Sequence, residues 1–308
     1  MTLGILLKIL STLAFTAMGV GVRVAAPRIP VSEIVFFRSV VALALLFGWL
    51  TWTGGFPRHL ATRRPLGHLG RGLSGTAGMF ANFTSLALLP LADATAYFYA
   101  SPIFVTLIAA LGLRENVHAS RWLAVLIGFG GVVAMLADHV GLADFTRSLG
   151  QEGLGAAVAL TGAGFAAISI IQTLRLAASE HTAAIVFYFT CLTTFAGAVA
   201  LAVAQVAPEM LPSQAFVAPD SREWVALIGA GAMGGCAQIL VTTSYRYADA
   251  SLLASYDYLA LVWALLASLL IFDQWPSWAV LAGAAAIAGS GLLAVLGEQM
   301  GRRSAPAD

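Results

Sequence analysis

The apolar runs of this chain constrain its fold more than any other sequence feature. About 20 apolar residues in a helix span the hydrocarbon core of a bilayer, and the sequence contains ten such runs separated by short breaks. The runs cover residues 3–24, 32–53, 71–90, 93–113, 120–138, 152–174, 181–206, 223–245, 250–271 and 277–297. We therefore predict an all-α polytopic membrane protein with ten transmembrane helices.

The composition argues against a soluble protein. Hydrophobic residues make up 59% of the 308 residues and charged residues 10%, whereas a soluble domain carries about 25% charged residues. So few charges would not cover the surface of a soluble fold of this length. The formal net charge of +1 offers nothing to a phosphate backbone. The predicted surroundings are a lipid bilayer, and no nucleic-acid partner is expected.

The first run is predicted to be a transmembrane helix and not a cleaved signal peptide. Lys8 lies inside the run, which continues to about Val24 and is long enough to span. With a cytoplasmic N-terminus, eleven of the 16 Lys and Arg residues fall on the inner side and four on the outer side, with Arg38 within the second span. The positive-inside rule then predicts a multi-pass protein of the inner (plasma) membrane with both termini cytoplasmic.

The chain also resembles itself at an offset of 156 residues. Ala-Asp-Ala-Thr at 92–95 matches Ala-Asp-Ala-Ser at 248–251, and Asn82 matches Gln238. Each copy holds five spans, an odd number, so the second copy must cross the membrane in the opposite direction. The predicted domains are a first five-helix repeat at 1–139, an inverted second repeat at 152–297, and a short cytoplasmic tail at 298–308.

Several short motifs resemble one transporter family. They are Phe36-Phe37-Arg38, Ala92-Asp93-Ala94, Ser101-Pro102, Leu113-Arg114-Glu115, Ala248-Asp249-Ala250, Tyr256-Asp257-Tyr258 and Ile271-Phe272-Asp273. Together with span number and duplication, they resemble the EamA-type family of the drug/metabolite transporter superfamily. The resemblance implies a carrier of small organic metabolites with a central cavity between two halves. Relatives export amino acids or import riboflavin or S-adenosylmethionine. Asp273, where Glu is usual, and Tyr258, opposite Pro102 of the first repeat, depart from the pattern.

Two charged residues within the spans are the main candidates for a binding site, because charge at depth is costly unless it faces a cavity or a partner. Asp257 lies about seven residues into the ninth span. It could bind a substrate amine or carry a proton, or form a structural ion pair or stay neutral. Arg38 could pair with Asp257 or with a substrate carboxylate. The favoured alternative is that Arg38 extends to the outer interface near Glu33.

Other polar and aromatic residues fall on shared helical faces. Asn82 and Gln238 each lie on a stripe of glycines, where they could bind substrate or hydrogen-bond between helices. Tyr97 and Ser101 share one face and Tyr256 and Trp263 another, and such aromatic walls suit planar substrates, although packing alone also explains them. The predicted substrate-binding residues are Asp257, Tyr256, Asn82, Gln238, Tyr97, Ser101, Trp263 and Arg38.

The sequence lacks the motifs of ATP hydrolysis and of the common classes of enzyme. It has no Walker A pattern, no H-E-x-x-H or C-x-x-C, and five scattered histidines, so neither a metal site nor a cofactor is predicted. No catalytic pair at depth supports the alternative of an intramembrane enzyme, and a passive channel is a further alternative.

We predict a secondary transporter of a small organic substrate working by alternating access. The scarcity of arginine within the spans argues against phosphorylated substrates. Amino acids or similar zwitterionic or planar compounds are favoured, with riboflavin and S-adenosylmethionine as alternatives. Transport direction and energy source stay open. A monomer is the default, because ten spans can enclose a cavity within one chain.

Overall fold

The structure is a computed structural model that describes residues 2–98, 100–108, 119–140, 150–207, 215–247, 253 and 256–304. Over these ranges the chain is helical and contains no strand. The helices are α1 (Thr2–Ala25), α2 (Val31–Trp52), α3 (Pro65–Leu88), α4 (Leu91–Phe98), α5 (Ser101–Leu107), α6 (Ala119–Val140), α7 (Gln151–Ala177), α8 (Thr182–Val206), α9 (Ser221–Ser244), α10 (Leu259–Phe272) and α11 (Trp278–Ser304). A short 3₁₀ helix covers Arg58–Leu60.

Within the described ranges, five helices are long and apolar enough to cross a membrane. They are α1, α2, α7, α8 and α9, with 24, 22, 27, 25 and 24 residues. At about 1.5 Å per residue, each exceeds the roughly 30 Å of a hydrocarbon core. The prediction of an all-helical membrane protein is confirmed, whereas the number of ten spans stays a prediction.

Two of the predicted spans are interrupted. The fourth divides into α4 and α5, and Pro102 is the second residue of α5, where a missing backbone N–H is tolerated. In the ninth, Tyr256–Tyr258 form a turn directly before α10. The N–H of Ala100 donates to Tyr97 O at 3.0 Å, and that of Tyr256 to Leu253 O at 3.1 Å, so a hydrogen bond between residues three positions apart occurs at both interruptions. The expectation that Asp257 lies inside a continuous ninth helix is therefore wrong.

Glycines bring neighbouring helices close together. α1 packs along α9, α3 along α7, α2 against α8, and α6 against α11. A Cβ on Gly21 would lie 2.8 Å from the carbonyl oxygen of Ala226, and one on Gly162 would lie 3.0 Å from the Cβ of Ala81. A Cβ on Gly131 of α6 would lie 2.8 Å from the carbonyl oxygen of Gly283. These positions are packing surfaces, because the missing side chain lets the helices approach closely.

Hydrogen bonds of charged side chains connect the segments at one end of the bundle. Asp220 caps α9 by accepting from the Glu223 N–H at 2.8 Å, and Glu223 accepts in return from the Asp220 N–H at 2.7 Å. Arg28 Nε donates to Glu223 at 2.7 Å, which joins the α1–α2 connection to α9. Glu33, fully buried, accepts from the Val217 N–H at 3.0 Å. This end is therefore fixed by polar contacts between segments distant in sequence.

The other end carries a group of aromatic and acidic side chains. His59 and His181 stack with ring centroids 3.9 Å apart. His68 Nε2 lies 3.4 Å from a carboxylate oxygen of Glu180, and the Tyr188 hydroxyl donates to Leu60 O at 3.0 Å. These contacts attach the α2–α3 connection to the α7–α8 connection.

Candidate functional site

An ion pair joins the first helix to the turn before α10. Lys8 Nζ lies 2.8 Å from Asp257 Oδ1, and the lysine side chain is 1% exposed while that of Asp257 is 31% exposed. The same ammonium donates to the Tyr245 hydroxyl at 3.4 Å and lies 5.1 Å from the centre of its ring. Lys8 is thus held by a carboxylate, a phenol and an aromatic face, and Asp257 retains one accessible side.

Arg71 of α3 lies within electrostatic range of Tyr245, the residue that also contacts Lys8. Its Nε donates to Thr173 Oγ1 at 3.1 Å and one terminal nitrogen donates to Gln238 Oε1 at 3.2 Å. The guanidinium carbon lies 3.8 Å from the ring centre of Phe189. Neutral groups and one aromatic face therefore surround a guanidinium that is buried among α3, α7, α8 and α9.

Arg38 of α2 is enclosed by the protein and is 1% exposed. One terminal nitrogen lies 3.2 Å from the sulfur of Met79. A Cβ on Gly234 would lie 2.7 Å from the sulfur of Met18 and 3.2 Å from another guanidinium nitrogen, so the glycine leaves room for the arginine. The favoured expectation that Arg38 reaches the outer interface is wrong. Glu33 contacts Val217 instead, and Asp257 pairs with Lys8.

The charges of this cluster, which comprises Lys8, Arg38, Arg71 and Asp257, do not balance among the described residues. Three are cations and one is an anion, and Arg38 and Arg71 are within electrostatic range of each other. Other buried carboxylates have partners elsewhere: Glu33 at Val217, Glu180 at His68 and Glu223 at Arg28. Because charge in a low-dielectric interior is costly without a counter-charge, the cluster is suited to an incoming negative group.

The structure brings together only part of the predicted set. Asp257, Gln238 and Arg38 contribute to the cluster, and Tyr256 is half-buried next to Asp257. Trp263 Nε1 donates to Thr12 Oγ1 at 3.3 Å, one helical turn along α1 from Lys8.

The other predicted residues lie apart from these contacts. Tyr97 and Ser101 are buried on either side of the turn between α4 and α5. Asn82 is half-buried where α3 crosses Gly162 of α7, and none of the described contacts links its side chain to the charged groups.

Two central residues, Lys8 and Arg71, were missed by the sequence prediction. Lys8 is the single lysine of the chain and lies within its first apolar run, which was the available signal. Arg71 was the first residue of the predicted third span, but α3 begins at Pro65 and places Arg71 nearly two turns inside the helix. The premise that arginine is scarce within the spans is therefore weakened, and with it the argument against phosphorylated substrates.

Buried charges held between long apolar helices define a polytopic membrane protein with a polar site inside its helix bundle. The model of the EamA-like transporter family matches residues 2–137. The match covers somewhat less than half of the chain and agrees with the family that its motifs resemble. Together with the relatives, it supports a membrane transporter.

Relatives match nearly the full length. A pseudopaline exporter of Pseudomonas aeruginosa (strain UCBPP-PA14) is 29% identical over 95% of this chain and 93% of its own. An S-adenosylmethionine uptake transporter of Rickettsia prowazekii is 28% identical over 87% and 83%. A riboflavin transporter of Vibrio cholerae is 29% identical over 84% and 80%. A solved crystal structure, 20% identical, aligns with a TM-score of 0.67 over 98% of this chain and 99% of its own, which supports the fold.

Proposed function

We propose that the chain is a secondary transporter that moves a small organic metabolite by alternating access. The observation that carries this proposal is the Lys8–Asp257 ion pair, which links α1 to the turn before α10 inside a transporter fold. In the proposed arrangement, residues 1–139 and 152–297 are two inverted five-helix repeats, residues 298–308 are a short tail, and both termini are cytoplasmic.

The pattern of helix neighbours supports an inverted repeat. If α1 and α3 correspond to α7 and α9, then the packing of α1 on α9 has its counterpart in that of α3 on α7. The contact of α2 with α8 and that of α6 with α11 would then each lie on the pseudo-two-fold axis. Carriers built in this way place the substrate between the repeats and expose it alternately to either side.

The interrupted helices support the same conclusion. The turn at Ala100 and the turn at Tyr256–Tyr258 occupy similar positions in the two proposed repeats, about 156 residues apart. Discontinuous helices near the membrane midplane are a common source of binding groups in transporters. Asp257 belongs to one of these turns, and a local change there would reach the ion pair directly.

The proposed substrate is an amino acid or a similar zwitterionic or planar compound. Tyr245 and Tyr256 offer aromatic surface beside the charged groups, and Asp257 keeps an accessible side for an amine or a proton. The relatives that carry S-adenosylmethionine and riboflavin make those two compounds the first alternatives to test.

Counterflow into proteoliposomes tests the proposal. Purified protein would be assayed with labelled amino acids, riboflavin and S-adenosylmethionine, with and without a pH gradient. We expect saturable exchange of one compound by the wild type and its loss in Asp257→Asn, because the substitution removes the carboxylate and leaves Lys8 without its partner. Glu152→Gln, an exposed carboxylate in the first turn of α7, is the matched control and should transport normally.

The alternatives give different results. Loss of the pH dependence alone would make Asp257 a coupling group, and normal transport by Asp257→Asn would remove it from the site. Flux that neither saturates nor shows exchange would indicate a channel and contradict a carrier.

A further inference from the structure

The two arginines of the cluster have hydrogen-bonding capacity that the described residues do not use. Arg38 is 1% exposed and Arg71 is 5% exposed. The Nε of Arg38 and one terminal nitrogen of Arg71 are fully buried and have no hydrogen-bond partner in the described part of the chain. Leaving a buried charged donor unsatisfied costs several kcal/mol in general, so these atoms indicate an acceptor that arrives from outside the fold.

The packing around both guanidinium groups preserves space for them. A Cβ on Gly75 would lie 2.7 Å from the unpaired terminal nitrogen of Arg71, and one on Gly234 would lie 3.3 Å from the Nε of Arg38. Besides the Thr173 and Gln238 oxygens that accept from Arg71, the neighbours include the sulfur atoms of Met18 and Met79 and the ring of Phe189. Apolar and polarisable walls of this kind exclude water and strengthen any charge interaction that forms there.

We infer that Arg38 and Arg71 together bind a carboxylate group of the transported compound. This inference rests on the proposed function, because both side chains are enclosed in this conformation and only the opening motion of a carrier would admit a substrate. Guanidinium and carboxylate match in shape and charge. A bound carboxylate would supply a negative charge to two buried cations that lie within electrostatic range of each other.

The charge balance favours a carboxylate over a phosphate. Lys8 is already paired with Asp257, so two cations remain available. The two unpaired nitrogens correspond to the two oxygens of a carboxylate, whereas a phosphate dianion has more acceptors and more charge to satisfy. The substrate class is therefore an organic acid or an amino acid.

Thermal unfolding of the full-length protein in detergent tests the inference without requiring transport. The probes are amino acids and aromatic acids, each paired with its own amide, together with inorganic phosphate and chloride. A ligand that binds only the folded state raises the unfolding midpoint. We expect at least one acid to raise the midpoint and its amide to have no such effect. For that acid, Arg38→Gln and Arg71→Gln should each weaken apparent affinity by about 10- to 100-fold, as expected for a charged hydrogen bond.

Matched variants separate binding from folding. Arg23→Gln removes a half-buried arginine that donates to the carbonyl oxygens of Leu86 and Ala87, and it should keep the response to the acid. If the glutamine variants do not fold, Arg38→Lys and Arg71→Lys retain the charge and should show intermediate affinity. The inference is overturned if no acid stabilises more than its amide, if phosphate stabilises more than every acid, or if the glutamine variants respond like the wild type.

Counterflow with the same compounds distinguishes a failure of the carboxylate-binding inference from a failure of the proposed carrier function. Exchange of compounds without a carboxylate, unaffected by the two substitutions, would contradict carboxylate binding and leave the carrier intact. An acid that binds through the arginines and is never exchanged would contradict the carrier and leave the site intact.

Discussion

Lys8 and Asp257 form an ion pair of 2.8 Å between residues that are 249 positions apart in the sequence. The lysine is enclosed by the protein and its partner is partly accessible. Removing one member of a buried pair leaves an uncompensated charge. The stability of the bundle therefore depends on the conformation of the turn that carries Asp257.

Substitutions at this pair should be strongly non-additive. Lys8→Met and Asp257→Asn should each lower stability, at or below the low end of the roughly 3–5 kcal/mol typical of breaking a buried pair, because Asp257 is partly exposed. The double variant should recover much of that loss, since it leaves no isolated charge. Unfolding midpoints of the four proteins in detergent form the double-mutant cycle. Additive losses would show that the two residues do not interact.

Alanine substitutions at glycines of α9 should change stability differently at packed and at open positions. A Cβ on Gly231 would lie 2.5 Å from the Cβ of Val41 and 2.8 Å from the carbonyl oxygen of Arg38. Gly231→Ala should therefore cost about 1–3 kcal/mol through overpacking. Gly229, two residues away, has open space around it, and Gly229→Ala should be neutral or stabilising by up to about 1 kcal/mol. Equal effects in thermal unfolding would mean that α2 and α9 are not in close contact.

The cap of α9 provides a test outside the charged cluster. Asp220→Ala removes the acceptor of the Glu223 N–H and should cost about 1 kcal/mol. Asp220→Asn keeps a side-chain oxygen and should cost much less. Transport should persist in both variants, because Asp220 is far from the cluster in the bundle. A fall in stability for both variants would point to the charge of Asp220 and not to its hydrogen bond.

The stacked histidines should make stability depend on pH. Partial desolvation of the His181 ring, together with nearby His59 and Arg246, lowers the pKa of His181 below its ordinary value of 6.5. A depressed folded-state pKa contributes stability above the unfolded value and loses it as the pH falls toward the folded value. The unfolding midpoint should therefore drop as the pH falls below about 6.5. His181→Phe retains an aromatic ring without the titration and should reduce this drop; an unchanged profile would assign the effect to other groups.

Sequence patterns predicted the helices well because apolar run length is a local property. Val31–Trp52 and Thr182–Val206 lie within one residue of the predicted 32–53 and 181–206. The contacts of Asp257 and Arg38 could not be predicted from local sequence patterns. They depend on which helices pack against each other in the folded chain. Arg71 was misplaced because its helix begins at Pro65, earlier than the apolar run. The turn before α10 was missed because Tyr256–Tyr258 contain no proline or glycine to signal a break in the helix.

The packing of α1 on α9 also has a consequence for synthesis. The first helix ends at Ala25 and its main neighbour begins at Ser221, 196 residues later. At about 5–20 residues per second, α1 waits about 10–40 s for that neighbour, and longer for Asp257. During this interval Lys8 sits in an unfinished bundle without its carboxylate. A chain truncated before residue 257 would therefore hold Lys8 among its helices without the carboxylate that neutralises it in the complete protein.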